Sequence, residues 1–246
     1  MVYVCSGTDS EKLKWYEVIN IAGAVLTRQE LRNATYTGPW LADARRYFSK
    51  PGGAAYGLGS AYLKGSALRQ DYLETTLAWI SDRDGVTIEE YMSAHQEDPT
   101  VGELWRYFQS VISWVETVFP NTRPSMKGVE WGPLYDAHHM RRDLDPVALE
   151  AEVARLHKDD DVTRNAGIYA YLLTGDEKHL SIRSFTPAMR EAAYERQAGI
   201  CPICGNHFAI EEMEADHITP WSKGGATTPE NCQMLSRECN RRKGAR

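Results

Sequence analysis

The chain lacks any run of about 20 apolar residues, the length a membrane helix needs. Its longest apolar stretches, such as Val18 to Leu26, are interrupted by polar residues like Asn20. A secretory signal is also lacking, so no membrane partner and no export are expected. Cysteine is almost missing from the first 200 positions, where Cys5 stands alone, whereas Cys201, Cys204, Cys232 and Cys239 crowd the C-terminal end. Without export there is no oxidising compartment for a disulfide framework, so this clustering points to metal binding in a cytoplasmic protein. Positive charge is not in excess either: 28 Lys and Arg face 34 Asp and Glu, a net charge of -6. That balance argues against a basic nucleic-acid coat protein, although it does not describe where the charges sit. Internal repeats and low-complexity tracts are absent.

Phosphate-binding loops are missing as well. Gly57-Leu58-Gly59 has no third glycine to complete a dinucleotide fingerprint, and Lys64-Gly65-Ser66 runs in the wrong order for a Walker loop. His138 and His139 are adjacent, so on a helix or strand they point in different directions and read as surface residues, not as a metal pair.

The 246 residues, 42% hydrophobic and 10% aromatic, exceed one typical domain and can fill a real core. The first three quarters read as helical. Thr27 with Glu30, Thr87 with Glu90 and Thr100 with Glu103 have capping-box spacing. Leu104, Phe108, Val111, Val115 and Val118 form one apolar helix face that ends near Pro120. Asp145 and Pro146 open a further helix bearing Leu149, Val153 and Leu156, with Asp159 to Asp161 as its solvated end. The polar segment from Gly175 to Ser184 lacks helical periodicity, which sets an expected boundary between residues 1–184 and 185–246. Thr186-Pro187 opens a short helix closed by Gly199, and the chain then reaches Cys201.

From there three pieces follow in order. The first is Cys201-Pro202-Ile203-Cys204. The second is Ala215-Asp216-His217-Ile218 with Pro220 and a Gly224-Gly225 turn. The third comprises Asn231 and Cys239-Asn240-Arg241-Arg242-Lys243. Each alone is ambiguous, but the ordered set resembles the HNH family of ββα-metal nucleases. The resemblance implies an α+β chain: a mainly helical N-terminal domain followed by a small zinc-stabilised ββα-metal domain.

The chemistry of phosphodiester hydrolysis accounts for the residue types. A water must be activated, and negative charge must be stabilised on phosphorus and on the leaving oxygen. His217 is the expected general base, because an imidazole is largely neutral at pH 7. By the resemblance, Asp216 and Asn240 hold a catalytic Mg²⁺ or Mn²⁺, with coordination positions left open for phosphate and water. Asn231 braces the loop carrying His217, although an ordinary turn residue would read the same way. Lys223, Arg237, Arg241, Arg242 and Lys243 are candidate DNA-phosphate contacts; the alternative is a solvated basic tail.

HNH proteins that carry a first Cys-x-x-Cys normally have a second one at the helix start, and the four thiolates hold a structural Zn²⁺. Here the second pair reads Ser236-Arg237-Glu238-Cys239. Cys201, Cys204 and Cys239 are therefore three expected ligands, and Cys232, His207, Ser236 or water competes for the fourth place.

In the larger segment, Trp15-Tyr16-Glu17-Val18-Ile19-Asn20 and Leu26-Thr27-Arg28-Gln29-Glu30-Leu31-Arg32-Asn33-Ala34 resemble the later part of the ParB-like domain of GmrSD-type restriction and phage-defence proteins. The upstream Asp-Gly-Gln-Gln-Arg-type motif of that family is missing, so nucleotide hydrolysis is not implied. Together the resemblances imply an HNH endonuclease acting on DNA in restriction or phage defence and leaving 5′-phosphate ends. A non-catalytic, zinc-stabilised DNA-binding or regulatory module of a restriction system is the alternative, and RNA cleavage is a third reading. A double-strand cut by one site per chain would be easier for a homodimer.

Overall fold

A computed structural model describes residues 7, 8, 11 and 27–244. Cys5, Trp15 to Leu26 and Arg246, which entered the sequence reading, lie outside the described residues. Contacts divide the chain into two compact units, Met1–Ala154 with Leu172–Thr174, and Arg155–Tyr171 with Gly175–Arg246. No helix among the described residues is long and apolar enough to cross a membrane. The described residues are mostly helical, with one small sheet among them near the C-terminal end, an α+β composition.

The first unit contains α1 (Arg28–Thr35), α2 (Pro39–Phe48), α3 (Ala54–Gly59), α4 (Asp71–Asp84), α5 (Ile88–His95), α6 (Gly102–Val118) and α7 (Trp131–His138). Capping boxes at Thr27 with Glu30 and at Thr87 with Glu90 open α1 and α5. At α6 the expected box does not form. Helix starts are set by whichever group reaches the orphan N–H groups first. Here the Asp43 carboxylate accepts from the backbone of Val101 at 3.0 Å, and Glu103 turns to Arg83 at 3.3 Å instead. The apolar face of α6 is buried as its spacing predicts, from Leu104 to Val118. Gly57-Leu58-Gly59 belongs to α3, where Gly57 and Leu58 are exposed and Gly59 is buried. A Cβ at Gly59 would meet the Phe108 ring at 2.8 Å, so the glycine lets α3 approach α6. α8 (Pro146–Leu156) starts as expected, with Asp145 accepting from Val147 at 2.9 Å.

The second unit is larger than the segment from 185 onward that the motifs delimit. It contains α9 (Gly167–Thr174) up to Tyr171, α10 (Pro187–Arg196), β1 (Met213–His217), β2 (Cys232–Ser236) and α11 (Arg237–Gly244). β1 and β2 pair antiparallel, with Met213 opposite Ser236 and His217 opposite Cys232. α10 is fastened to β2 by Gln197, whose side chain donates to the Met234 carbonyl at 2.9 Å and accepts from its N–H at 2.7 Å. Phe185, Ala193, Cys201, Met213, Met234, Leu235 and Cys239 are buried together between these elements.

The stretch Asp159 to Asp161 is not a solvated helix end. Asp161 is buried and accepts from the backbone N–H of Thr227 at 2.7 Å, while Asp159 accepts from Trp221 Nε1 at 3.2 Å. Buried carboxylates need such donors, and the loop after β1 supplies them. This is why residues well before 185 pack with the C-terminal motifs.

Candidate metal and phosphodiester site

Two side-chain groups form within the second unit. In the first, the sulfur atoms of Cys201, Cys204 and Cys239 all lie within 4.8 Å of one another. Cys201 and Cys204 sit on a tight turn in which the Cys201 N–H donates to the Asn206 carbonyl at 2.9 Å, and the Cys201 carbonyl accepts from Gly205 at 2.8 Å. Cys239 arrives from the first turn of α11. A tetrahedral zinc with bonds of about 2.3 Å would hold its sulfurs about 3.8 Å apart, so the three thiols fit this ion with a small contraction. Burial pushes the Cys201 thiol up, but N–H groups of Ser236, Cys204 and Ile203 together with the Cys204 side chain outweigh it and bring it down to about 6. That environment favours the thiolate at Cys201, whereas at Cys204 the Asn206 N–H is outweighed by burial and by the adjoining Cys201 and Cys239 thiols, which push its thiol up.

Among the described residues neither Cys232 nor His207 joins the three-thiol group. Cys232 is buried on β2 opposite His217. The ring of His207 lies against Gly199, where an added Cβ would meet Nε2 at 2.6 Å. Ser236 is beside the group, yet its hydroxyl accepts from the Cys239 N–H at 3.3 Å and so caps α11.

The second group is built by laying α11 on β1. Residues two apart on a strand share a face, as do residues three apart on a helix. Glu214 and Asp216 thus face Asn240 and Lys243. Asn240 Nδ2 donates to Glu214 Oε2 at 2.8 Å, which leaves its amide oxygen as an available acceptor. Lys243 Nζ contacts Asp216 Oδ2 and donates to the His217 carbonyl at 2.6 Å. Gln233, opposite Asp216 in the ladder, donates to the same two acceptors at 3.3 and 3.2 Å. Asp216, His217, Asn240 and Lys243 line one cleft of about 530 Å³. The pair Asp216 and His217 also borders a second cleft with Arg183, Phe185, Arg190 and Glu214. A carboxylate and an amide oxygen on one cleft wall are hard donors suited to Mg²⁺ or Mn²⁺, and the Lys243 ammonium marks where a cation is welcome.

Asn231 lies in the loop between the strands. Its amide accepts from the Thr219 N–H at 2.8 Å and donates to the carbonyls of Thr219 and Ala226 at 3.0 and 2.9 Å. A Cβ at Gly225 would lie 1.9 Å from the Thr219 carbonyl, so the loop closes only with glycine there. Gly224, at φ +86°, makes the turn out of Trp221–Lys223.

The candidate phosphate contacts are not equivalent. Lys223 and Arg241 are exposed. Arg237 donates to the Glu211 carbonyl at 2.9 Å, and Arg242 to Cys239 Sγ at 3.3 Å. Lys243 is half-buried and turned to Asp216. The sequence reading missed Glu214, Thr227 and Gln233. Glu214 was recoverable from its two-residue offset to Asp216, whereas nothing local marks the others.

Residues 201–246 match a family model described as HNH endonuclease. Among curated proteins and among solved structures nothing matches the chain. The HNH match covers the three-thiol group, β1, β2 and α11, and thereby Asp216, His217 and Asn240, whereas Gly175, Asp176, Glu177 and Ile182, which also line their cleft, lie ahead of it. The description of the matched model points to a nuclease-type function for this segment.

Proposed function

We infer that this protein is a metal-dependent HNH endonuclease that hydrolyses phosphodiester bonds in DNA. The observation that carries this reading is the convergence of Asp216, His217 and Asn240, all in the family-matched segment, on one cleft. His217 accepts the proton of the attacking water as that water bonds to phosphorus. The bond to the 3′ oxygen breaks with its electron pair, and that oxygen takes a proton from solvent, leaving a 5′-phosphate. Asp216 and the Asn240 amide oxygen would hold the divalent ion, which supplies charge stabilisation for the phosphate oxygens. Cys201, Cys204 and Cys239 would hold a structural Zn²⁺, with water or a neighbouring group in the fourth position. Lys223 from the loop between the strands, and Arg237, Arg241 and Arg242 from α11, would meet the DNA backbone.

A role in restriction or phage defence is supported by the GmrSD-like resemblance within residues 1–185. Four free thiols among the described residues suit a reducing, cytoplasmic setting, and a double-strand cut favours a homodimer. One observation favours a non-catalytic DNA-binding module: Ser236 stands where a zinc-ligating cysteine is usual.

Plasmid nicking separates these readings. The full chain should nick with Mg²⁺ or Mn²⁺ and not with EDTA. His217→Ala at matched zinc content should lose activity by about 10²–10⁴-fold while still binding DNA. Absence of nicking by the unaltered chain, with DNA binding intact, would favour the non-catalytic module.

A further inference from the structure

Thr227 belongs to none of the sequence motifs, yet its hydroxyl meets the base. His217 Nε2 lies 3.0 Å from Thr227 Oγ1, and the same Oγ1 lies 3.3 Å from the Arg183 carbonyl oxygen. A hydroxyl has one proton to donate, a carbonyl oxygen can only accept, and a neutral imidazole has one donor nitrogen and one acceptor nitrogen. Both contacts are hydrogen bonds in only one arrangement. Thr227 donates to Arg183, and the Nε2–H of His217 donates to Thr227. The lone pair then resides on Nδ1, and no hydrogen-bond partner for Nδ1 exists among the described residues.

The threonine is itself held in place. Its N–H donates to the Asp161 carboxylate at 2.7 Å, and both residues are only 8% exposed. The Phe185 ring lies against the imidazole with centroids 4.5 Å apart. Asp161, Arg183 and Phe185 all precede the family-matched segment.

We propose that Thr227 is a positioning residue that holds His217 as the Nε2–H tautomer, making Nδ1 the base, and that residues 161–185 supply its anchorage. The role of the base rests on the endonuclease reading, whereas the tautomer does not. When Nδ1 takes the proton from water, the Nε2–H bond to Thr227 becomes charge-assisted and stabilises the imidazolium.

The test uses the full zinc-loaded chain with ¹⁵N-labelled histidine, without DNA, at a pH where His217 is neutral. Long-range proton–nitrogen spectra should show a protonated Nε2 and an unprotonated Nδ1. Thr227→Val, which removes the hydroxyl and keeps the shape, should mix the tautomers, and Thr227→Ser should restore the original spectrum. In nicking assays Thr227→Val should lower kcat by about 10–100-fold, part of what a positioned base contributes, with KM unchanged. A protonated Nδ1 in the unaltered chain overturns the proposal, as does Thr227→Val with unchanged tautomer and kcat. Should Thr227→Val fail to fold, the spectrum of the unaltered chain still decides the tautomer. The expected spectrum without any nicking would defeat the endonuclease reading and leave the positioning intact.

Discussion

Replacing Lys243 by methionine should tighten divalent-metal binding. The Lys243 ammonium contacts Asp216 Oδ2 and donates to the His217 carbonyl at 2.6 Å, so any cation using that carboxylate oxygen must first displace it. The two side chains are 30% and 24% exposed, so solvent screens the pair only in part. Such a pair is worth about 1–2 kcal/mol, above the value for open surface pairs and below that for dry ones. Removing the competitor should therefore lower the Kd for Mn²⁺ by roughly 5–30-fold, since about 1.4 kcal/mol is tenfold. Methionine keeps the length and apolar stem without the charge, and Gln233 still braces Asp216 from the opposite strand. Titration calorimetry or Mn²⁺ paramagnetic resonance on the zinc-loaded chain without DNA reads the affinity directly. An unchanged or weaker Mn²⁺ affinity would refute the displacement argument and make Lys243 a support that aims Asp216 at the ion. The same variant should bind DNA with a salt slope reduced by about 1 if the displaced ammonium moves onto a phosphate.

Cys239→Ala should lose bound zinc and lower the Tm, whereas Cys232→Ala and His207→Ala should keep zinc content unchanged; mass spectrometry of the native protein decides both. Ser236→Cys adds a fourth thiol beside the three but removes the cap on the Cys239 N–H, a loss of about 1 kcal/mol. It should raise the Tm with zinc and lower it with a chelator present, and a shift of the same sign in both conditions would count against a ligand role. Asn231→Ala removes three hydrogen bonds from the loop after β1 and should destabilise the chain by about 1–3 kcal/mol, read by chemical denaturation. Arg241→Ala should weaken DNA binding evenly across sequences and reduce the salt slope by about 1, without changing metal affinity.

What the sequence disclosed was largely what depends on neighbours a few residues away. The capping boxes at Thr27 and Thr87 are three-residue devices and form as their spacing predicts. The box at Thr100 does not form: α6 starts one residue later with Val101 as its cap, the Val101 N–H going to Asp43, 58 positions before it, and the Glu103 carboxylate to Arg83. The α6 face is legible because helix period alone dictates it. At the site, Cys201, Cys204 and Cys239 were identifiable from spacing and come together. The fourth-ligand candidates could not be ranked without knowing that β2 carries Cys232 opposite His217 and away from the thiols. Lys243 reads as a phosphate contact in a basic tail, yet α11 lies on β1 in a phase that turns it inward to Asp216. A charge pattern gives the sign of a residue and not its facing, and that facing was invisible until the helix was docked.

The same distinction separates the residues proposed to carry the chemistry from those that aim them. Asp216, His217 and Asn240 all fall within residues 201–246, the span of the family match. Two of their orientations come from inside that span, through Gln233 on Asp216 and Glu214 on Asn240. The imidazole is different: its Nε2 partner is fixed by the Arg183 carbonyl and the Asp161 carboxylate, and its face rests on Phe185. A water can be deprotonated productively only by a correctly oriented lone pair, and small angular errors in a general base are costly. The smallest competent unit should therefore begin ahead of Asp161, in agreement with the compact unit that starts at Arg155. A fragment cut at the start of the Cys201 motif would keep its thiols, Asp216, Asn240 and Thr227 while losing the Asp161 carboxylate and the Arg183 carbonyl that anchor Thr227 against His217.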